Sequence, residues 1–162
     1  MTVVTDTSAI LNLCLLGLED VLPAIFGETH APGAVRDEFL RLTTVDPRFT
    51  DLVFPHFIAI HNVTRIHPSL QTPRLDRGEC EALSLALEIG AATVLMDESA
   101  GRAAATKLGI DCVGLLGILI EAKRRNLIPH LSPYLNRLQT EARFWFTKTL
   151  RLQVLRLGGE IP

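Results

Sequence analysis

Four carboxylates, Asp6, Glu38, Glu79 and Asp97, are the residues whose type and position best suit chemistry. Asp6 closes the β-rich run Thr2-Val-Val-Thr5, and Asp97 closes a second apolar run, Ala92–Met96. In open α/β sheets the ligand crevice lies beyond the carboxyl ends of the strands, so both aspartates fall on the edge where a site is expected. Glu38 and Glu79 lie in helical stretches that can flank that crevice. Taken singly, each acid has an ordinary role: an aspartate caps a helix, Glu79 in a first turn suits the helix dipole, and Glu38 suits a solvated face. Gathered together they would raise one another's pKa and repel, unless a hard divalent cation supplied the missing charge. Oxygen-only ligands select Mg²⁺ or Mn²⁺ over zinc or copper. One or two such ions deprotonate a bound water at neutral pH and stabilise the leaving oxygen in phosphodiester hydrolysis. Spacing leaves the convergence of the four acids to the fold.

The elements that must position them follow from turn and periodicity signals. After the first strand, Ser8 offers an N-cap for a helix Ala9–Leu16 that Gly17 stops. A helix over 19–26, an extended piece to His30, and a helix over Ala34–Leu42 entered at Pro32 come next, with Val35, Phe39 and Leu42 on one apolar face. Residues 43–56 read as a partly helical excursion and Phe57–Val63 as a strand. The second half alternates clearly: helix Gly78–Ile89, strand Ala92–Met96, helix Ser99–Leu108, strand Ile110–Val113 and helix Leu115–Asn126. Such alternation predicts βαβ units, a mostly parallel central sheet and a three-layer α/β/α sandwich. A helix from Ser132-Pro133 to about residue 142, an extended aromatic piece Phe144-Trp-Phe146, and a last amphipathic helix marked by Leu150, Val154 and Leu157 complete the chain.

Composition narrows the class. A chain of 162 residues with 48% hydrophobic content suits one folded domain, residues 1–162, with 131–162 as a C-terminal helical extension. The longest uncharged stretches, Thr7–Leu18 and Leu52–Thr64, fall short of the ~20 apolar residues of a spanning helix. The N-terminus lacks a basic leader region, so no membrane association and a cytoplasmic location are expected. Cys14, Cys80 and Cys112 form no Cys-x-x-Cys pair and read as small buried hydrophobes. His30, His56, His61, His67 and His130 show no short ligand spacing. No phosphate-cradling glycine loop or nucleophile elbow occurs. A phosphatase with an aspartate nucleophile needs a second Asp where Ser8 stands, and a phosphate-accepting receiver needs an acidic pair before the first helix.

The quoted pieces, taken together, form a pattern. Val3-Val-Thr-Asp6-Thr-Ser8, Pro32-x-x-Val35-x-x-Glu38-Phe39, Leu75-Asp-Arg-Gly-Glu79-x-Glu81-Ala82 and Val94-Leu-Met-Asp97-Glu98-x-x-Gly101-Arg102 resemble the PIN-domain nucleases over roughly residues 2–130. The run Gly114-Leu-Leu-Gly117 through Ala122-Lys123 is similar to a bacterial and archaeal subgroup long known only as a domain of unknown function. The resemblance implies a PIN-like α/β/α fold, Mg²⁺- or Mn²⁺-dependent RNA cleavage, and the toxin role of VapC-like members, which dimerise and pair with a small antitoxin protein. It maps Asp6, Glu38, Glu79 and Asp97 onto the family's four acids and Ser8 onto the hydroxyl that supports the first. VapC-like members more usually carry Asp as the third acid, so Glu81 is a rival for part of the role of Glu79, and Glu98 supports Asp97.

The net charge of −2 conceals an asymmetry: residues 1–122 carry 8 basic and 16 acidic residues, whereas 123–162 carry 8 basic and 2 acidic ones. A basic surface beside a cation-binding site suits an RNA substrate, and Arg102, Lys123, Arg124 and Arg125 are the candidate phosphate contacts. The last three stand at a helix C-terminus, where they also complement the dipole. The aromatic cluster at 144–146 reads as core or interface before base stacking. Two functional classes stay open: a metal-dependent ribonuclease, and a non-catalytic PIN-like module that binds RNA or protein.

Overall fold

The computed structural model describes residues 1–162. Five strands form one all-parallel sheet: β1 (Thr2–Thr5), β2 (Glu28–Pro32), β3 (Ala59–His61), β4 (Thr93–Leu95) and β5 (Asp111–Val113), in the order β3-β2-β1-β4-β5. The order reverses between β1 and β4, which pair directly with Thr5 opposite Leu95. Such a reversal opens a crevice at the carboxyl ends of the two strands, because their crossovers leave toward opposite sides.

Eight helices cover the sheet: α1 (Thr7–Leu16), α2 (Val21–Phe26), α3 (Gly33–Val45), α4 (Arg77–Ile89), α5 (Ser99–Lys107), α6 (Leu115–Arg124), α7 (Ser132–Thr140) and α8 (Lys148–Leu157). Alternation along the strands divides the core. Val3, Ala31 and Leu95 face a large cluster built with α1, α2, α3, α6, α7 and α8, whereas Val4, Val94 and Met96 face a smaller one built with α4 and α5. The last two helices therefore share the main core, through Leu135, Leu138, Val154 and Leu155. No helix is long and apolar enough to cross a membrane.

Several boundaries differ from the sequence reading for identifiable reasons. Helix α1 begins at Thr7 with Asp6, not Ser8, as its cap: Asp6 is extended at ψ 178° and its Oδ1 accepts the Ala9 N–H at 2.9 Å. Helix α3 runs on to Val45, since the Thr43 and Thr44 hydroxyls donate back to the Leu40 carbonyl and nothing breaks the backbone before Asp46. Only residues 59–61 of the third strand pair, against β2. In α8 the buried face is Val154 and Leu155, while Leu150 and Leu157 are exposed.

One glycine lets α5 approach the sheet. A Cβ on Gly101 would meet Met96 Sδ at 2.3 Å and Glu79 Oε1 at 3.3 Å, whereas one on Gly33 would meet only the His61 carbonyl at 3.8 Å. Gly101→Ala is expected to cost about 1–3 kcal/mol of stability, since Met96 is fully enclosed and cannot yield freely. Gly33→Ala, at the first helical position of α3, is expected to be neutral or stabilising. Urea denaturation of the two variants checks the contrast; equal effects would show that the Gly101 contact is not tight.

Candidate active site

At the reversal of strand order the chain leaves a cavity of about 680 Å³. Its lining includes six carboxylates, Asp6, Glu38, Asp76, Glu79, Asp97 and Glu98. The topology explains their arrival. Asp6 follows β1 and Asp97 follows β4, and the Asp6 N–H donates to the Leu95 carbonyl at 3.0 Å. Glu38 reaches in from α3 and accepts the Thr7 hydroxyl at 2.8 Å. Asp76 and Glu79 open α4 as a reciprocal capping box: the Glu79 N–H donates to Asp76 Oδ1 at 2.8 Å, and the Asp76 N–H donates to Glu79 Oε2 at 2.9 Å. Asp97 shares the Leu115 N–H between its two oxygens, at 3.1 and 3.2 Å, and so holds the start of α6.

Burial and crowding govern the charges. Asp6 is only 5% exposed, and burial, together with Asp97, Glu79 and Asp76, pushes its carboxyl up to about 8 in spite of the Ala9 hydrogen bond. Burial also raises Glu79 and Asp97; Asp76, Glu98 and Glu38 add to the first, and Arg102 partly offsets the second. In all three, burial is the larger cause and the neighbouring carboxylates the smaller one, a combination that clusters at functional sites. The donor set is oxygen-only, and Asp6 Oδ2 and Glu79 Oε1 accept no hydrogen bond, so the residues fit a hard divalent cation by chemistry. They do not form a closed ligand cage: no three of the acids stand close enough together to hold one ion.

The remaining candidates fall differently. Ser8 lines the cavity, but the hydroxyl bonded to an acid is that of Thr7, the first residue of α1, which donates to Glu38. Glu81 is buried outside the lining and pairs with Arg77 at 2.9 Å. Arg102 stands above Asp97 and donates to the Met96 carbonyl at 3.3 Å. The expected contacts from Lys123, Arg124 and Arg125 are not brought to the cavity. Helix α6 starts beside Asp97 and runs back about 15 Å along the sheet, so its end lies at the opposite edge. There Arg124 donates to the Leu157 carbonyl at the end of α8, and Arg125 donates to the Ala24 and Ile25 carbonyls in the last turn of α2 and pairs with Glu121. Cations that do line the cavity are Arg48, Arg74 and Arg143, from segments distant in sequence.

Besides Thr7 and the three lining arginines, two further site residues escaped the sequence reading although local signals marked them. Asp76 was visible as the first member of an Asp-x-x-Glu box with Glu79. Asn12, buried at the cavity, was visible as the one amide in the apolar run Ala9–Leu16; with Ser8 and Leu11 it shares the cavity face of α1 at helical spacing. The three cysteines are free; Cys14 is buried as expected, whereas Cys80 and Cys112 are half-buried, and burial raises each thiol, Cys14 to about 12. Histidines 30 and 61, far apart in sequence, meet on β2 and β3 with ring nitrogens 2.8 Å apart, away from the cavity.

The model of a family of unknown function described as a PIN domain matches residues 2–160. No curated protein matches the chain significantly, and no solved structure does. PIN domains are generally nucleases, and they typically use divalent metal ions.

The buried carboxyl has a pH signature. With its pKa raised in the folded state from 3.8 to about 8, Asp6 contributes stability in full below the lower value and loses it as pH rises through the higher one. In EDTA the wild type is therefore expected to weaken between about pH 4 and pH 8. Asp6→Asn keeps an oxygen for the Ala9 N–H but carries no charge, so its melting temperature is expected to gain on the wild type across that window. Thermal melts in EDTA at several pH values check this; a constant difference would remove Asp6 as the titrating group.

Proposed function

The chain belongs to the PIN-domain family, and we propose that it is a metal-dependent endoribonuclease, hydrolysing RNA phosphodiester bonds with water as the nucleophile. The observation that carries this reading is the nearly buried Asp6 in a cavity it shares with Glu38, Glu79 and Asp97 at the reversal of strand order. In this reading those four acids hold Mg²⁺ or Mn²⁺, with Asp76 and Glu98 at the margin. The bound ion supplies an acidified water and positive charge for the developing phosphate charge. The chain's own groups do the orienting. The Ala9 N–H fixes one oxygen of Asp6 and leaves the other free, the Asp76 N–H does the same for Glu79, and Glu38 is held at Oε2 by the Thr7 hydroxyl while its Oε1 pairs with Arg41 at 3.9 Å. Asp97 is held by the start of α6, and Arg102 beside it tempers its charge.

The proposed setting is that of a cytoplasmic toxin, a homodimer restrained by a small antitoxin protein, as in VapC-like members of the family. One observation favours a second reading, a non-catalytic module that binds RNA or protein: no three acids are gathered tightly enough to bind an ion without side-chain movement.

Purified protein is expected to cut RNA with Mg²⁺ or Mn²⁺, to stop in EDTA, and to leave no cyclic phosphate. Cleavage that persists in EDTA would sink the mechanism, and binding without cleavage under either ion would favour the second reading. Ion binding to the folded state alone raises stability by about 2.7 kcal/mol at 100 times its Kd, so melting should rise from EDTA to Mg²⁺. Asp97→Asn is expected to be no less stable than wild type in EDTA, to gain less from Mg²⁺ and to lose cleavage. Asp111→Asn, exposed at the start of β5 and outside the cavity, should keep both responses.

A further inference from the structure

Residues 142–146, between α7 and α8, supply part of the cavity wall. Their side chains alternate: Ala142 is buried, Phe144 and Phe146 are half-buried against the main core, and Arg143 and Trp145 are exposed. Three bonds pin the segment. Arg48 donates to the Ala142 carbonyl at 2.9 Å, the Phe144 N–H donates to the Leu138 carbonyl at 2.9 Å, and the Gln139 amide donates to the Phe146 carbonyl at 3.4 Å. Arg143 is held in the left-handed region at φ 54°, which non-glycine residues seldom adopt. Trp145 is 80% exposed, more than any other large apolar side chain, so the core role expected of the aromatic cluster holds for its two phenylalanines alone.

Trp145 directly follows Arg143 and Phe144 in the chain, and these two line the carboxylate cavity, as does Arg74, while the indole itself stands outside the lining. Arg48, the third lining arginine, is paired with Asp46 at 2.6 Å, whereas Arg74 and Arg143 take part in no salt bridge. A nucleic acid strand approaching six carboxylates is repelled along its backbone, so affinity must come from cations at the rim and from contacts with bases. An aromatic face supplies the latter without regard to sequence, and only to unpaired bases, since a duplex keeps its bases stacked inside.

We propose that Trp145 is a stacking platform for a base of single-stranded RNA whose phosphates Arg143 and Arg74 hold as the strand crosses the carboxylates. The inference rests on the ribonuclease reading of the cavity and adds a substrate-binding residue, with its two arginines, outside the acidic cluster. A second protein chain seated on the indole is the competing occupant.

Trp145 is the only tryptophan in the chain, so its emission reports this position alone. In EDTA, a single-stranded RNA oligonucleotide is expected to change that emission saturably, and a blunt duplex of the same sequence to change it little. Trp145→Ala is expected to weaken single-strand binding about 5–100-fold and to raise KM alike, with kcat within about twofold, while Trp145→Phe keeps most of the affinity. Emission unchanged at saturating RNA, or Trp145→Ala with wild-type affinity, would overturn the proposal. So would emission that follows protein concentration instead of RNA, the mark of a second chain over the indole. Cleavage with Mg²⁺ separates the two readings. A wild type that cuts RNA while Trp145→Ala keeps its KM defeats the stacking role alone; RNA-dependent emission without cleavage under Mg²⁺ or Mn²⁺ defeats the ribonuclease reading alone.

Discussion

Parallel pairing of β1 with β4 holds Asp6 and Asp97 at one edge of the sheet against their mutual repulsion. Everything else about the cavity follows from that pairing. Backbone hydrogen bonds fix the two strand ends side by side, the reversal of strand order leaves room beyond them, and the helices that follow must start there. Glu38 and the Asp76–Glu79 box are then brought in by α3 and α4, which pack on each other and on β2.

The same geometry explains why the acids are tolerated. Helices α1, α4 and α6 all begin at the cavity, and the first N–H groups of each are met by Asp6, by Asp76 and by Asp97 respectively. A helix start carries partial positive charge, and a capping side chain there is worth about 0.5–2 kcal/mol. Each acid thus has a folding role that compensates part of its desolvation. What remains uncompensated is visible in the raised Asp6, Glu79 and Asp97 carboxyls. Function and fold draw on the same atoms, and a substitution at the cavity reads out in both.

Positive charge is distributed by the same logic. Of the basic residues in 123–162, Arg143 alone lines the cavity, while Arg124 and Arg125 bond helix-end carbonyls at the far edge of the sheet. Arg48 ties the 142–146 wall to the turn after α3 through the Ala142 carbonyl and lies 4.8 Å over the Phe49 ring. A cationic, aromatic rim therefore stands beside an acidic floor, although the two come from opposite ends of the chain.

Local chemistry made much of this legible in the sequence. Strand-ending aspartates, Gly17 and Gly90 as left-handed helix stops, and the alternation of apolar runs with helical periods established the α/β class and put Asp6 and Asp97 on one edge. The Asp76–Glu79 box and Asn12 were equally local and were open to the same reasoning. Other features depended on distances that no sequence spacing encodes. Whether Thr7 or Ser8 would meet an acid depended on the rotation of α1 against α3, and Glu81, two residues beyond Glu79, faces away from the cavity lining and pairs with Arg77. Lys123–Arg125 were sent to the far edge by the direction of α6, while Arg74 and Arg143 were brought in by loops 69 residues apart. Propensity and capping act over a few residues and so can be read along the chain. Partners joined by packing and strand order are chosen by the whole sheet, and only the folded structure says which charges meet.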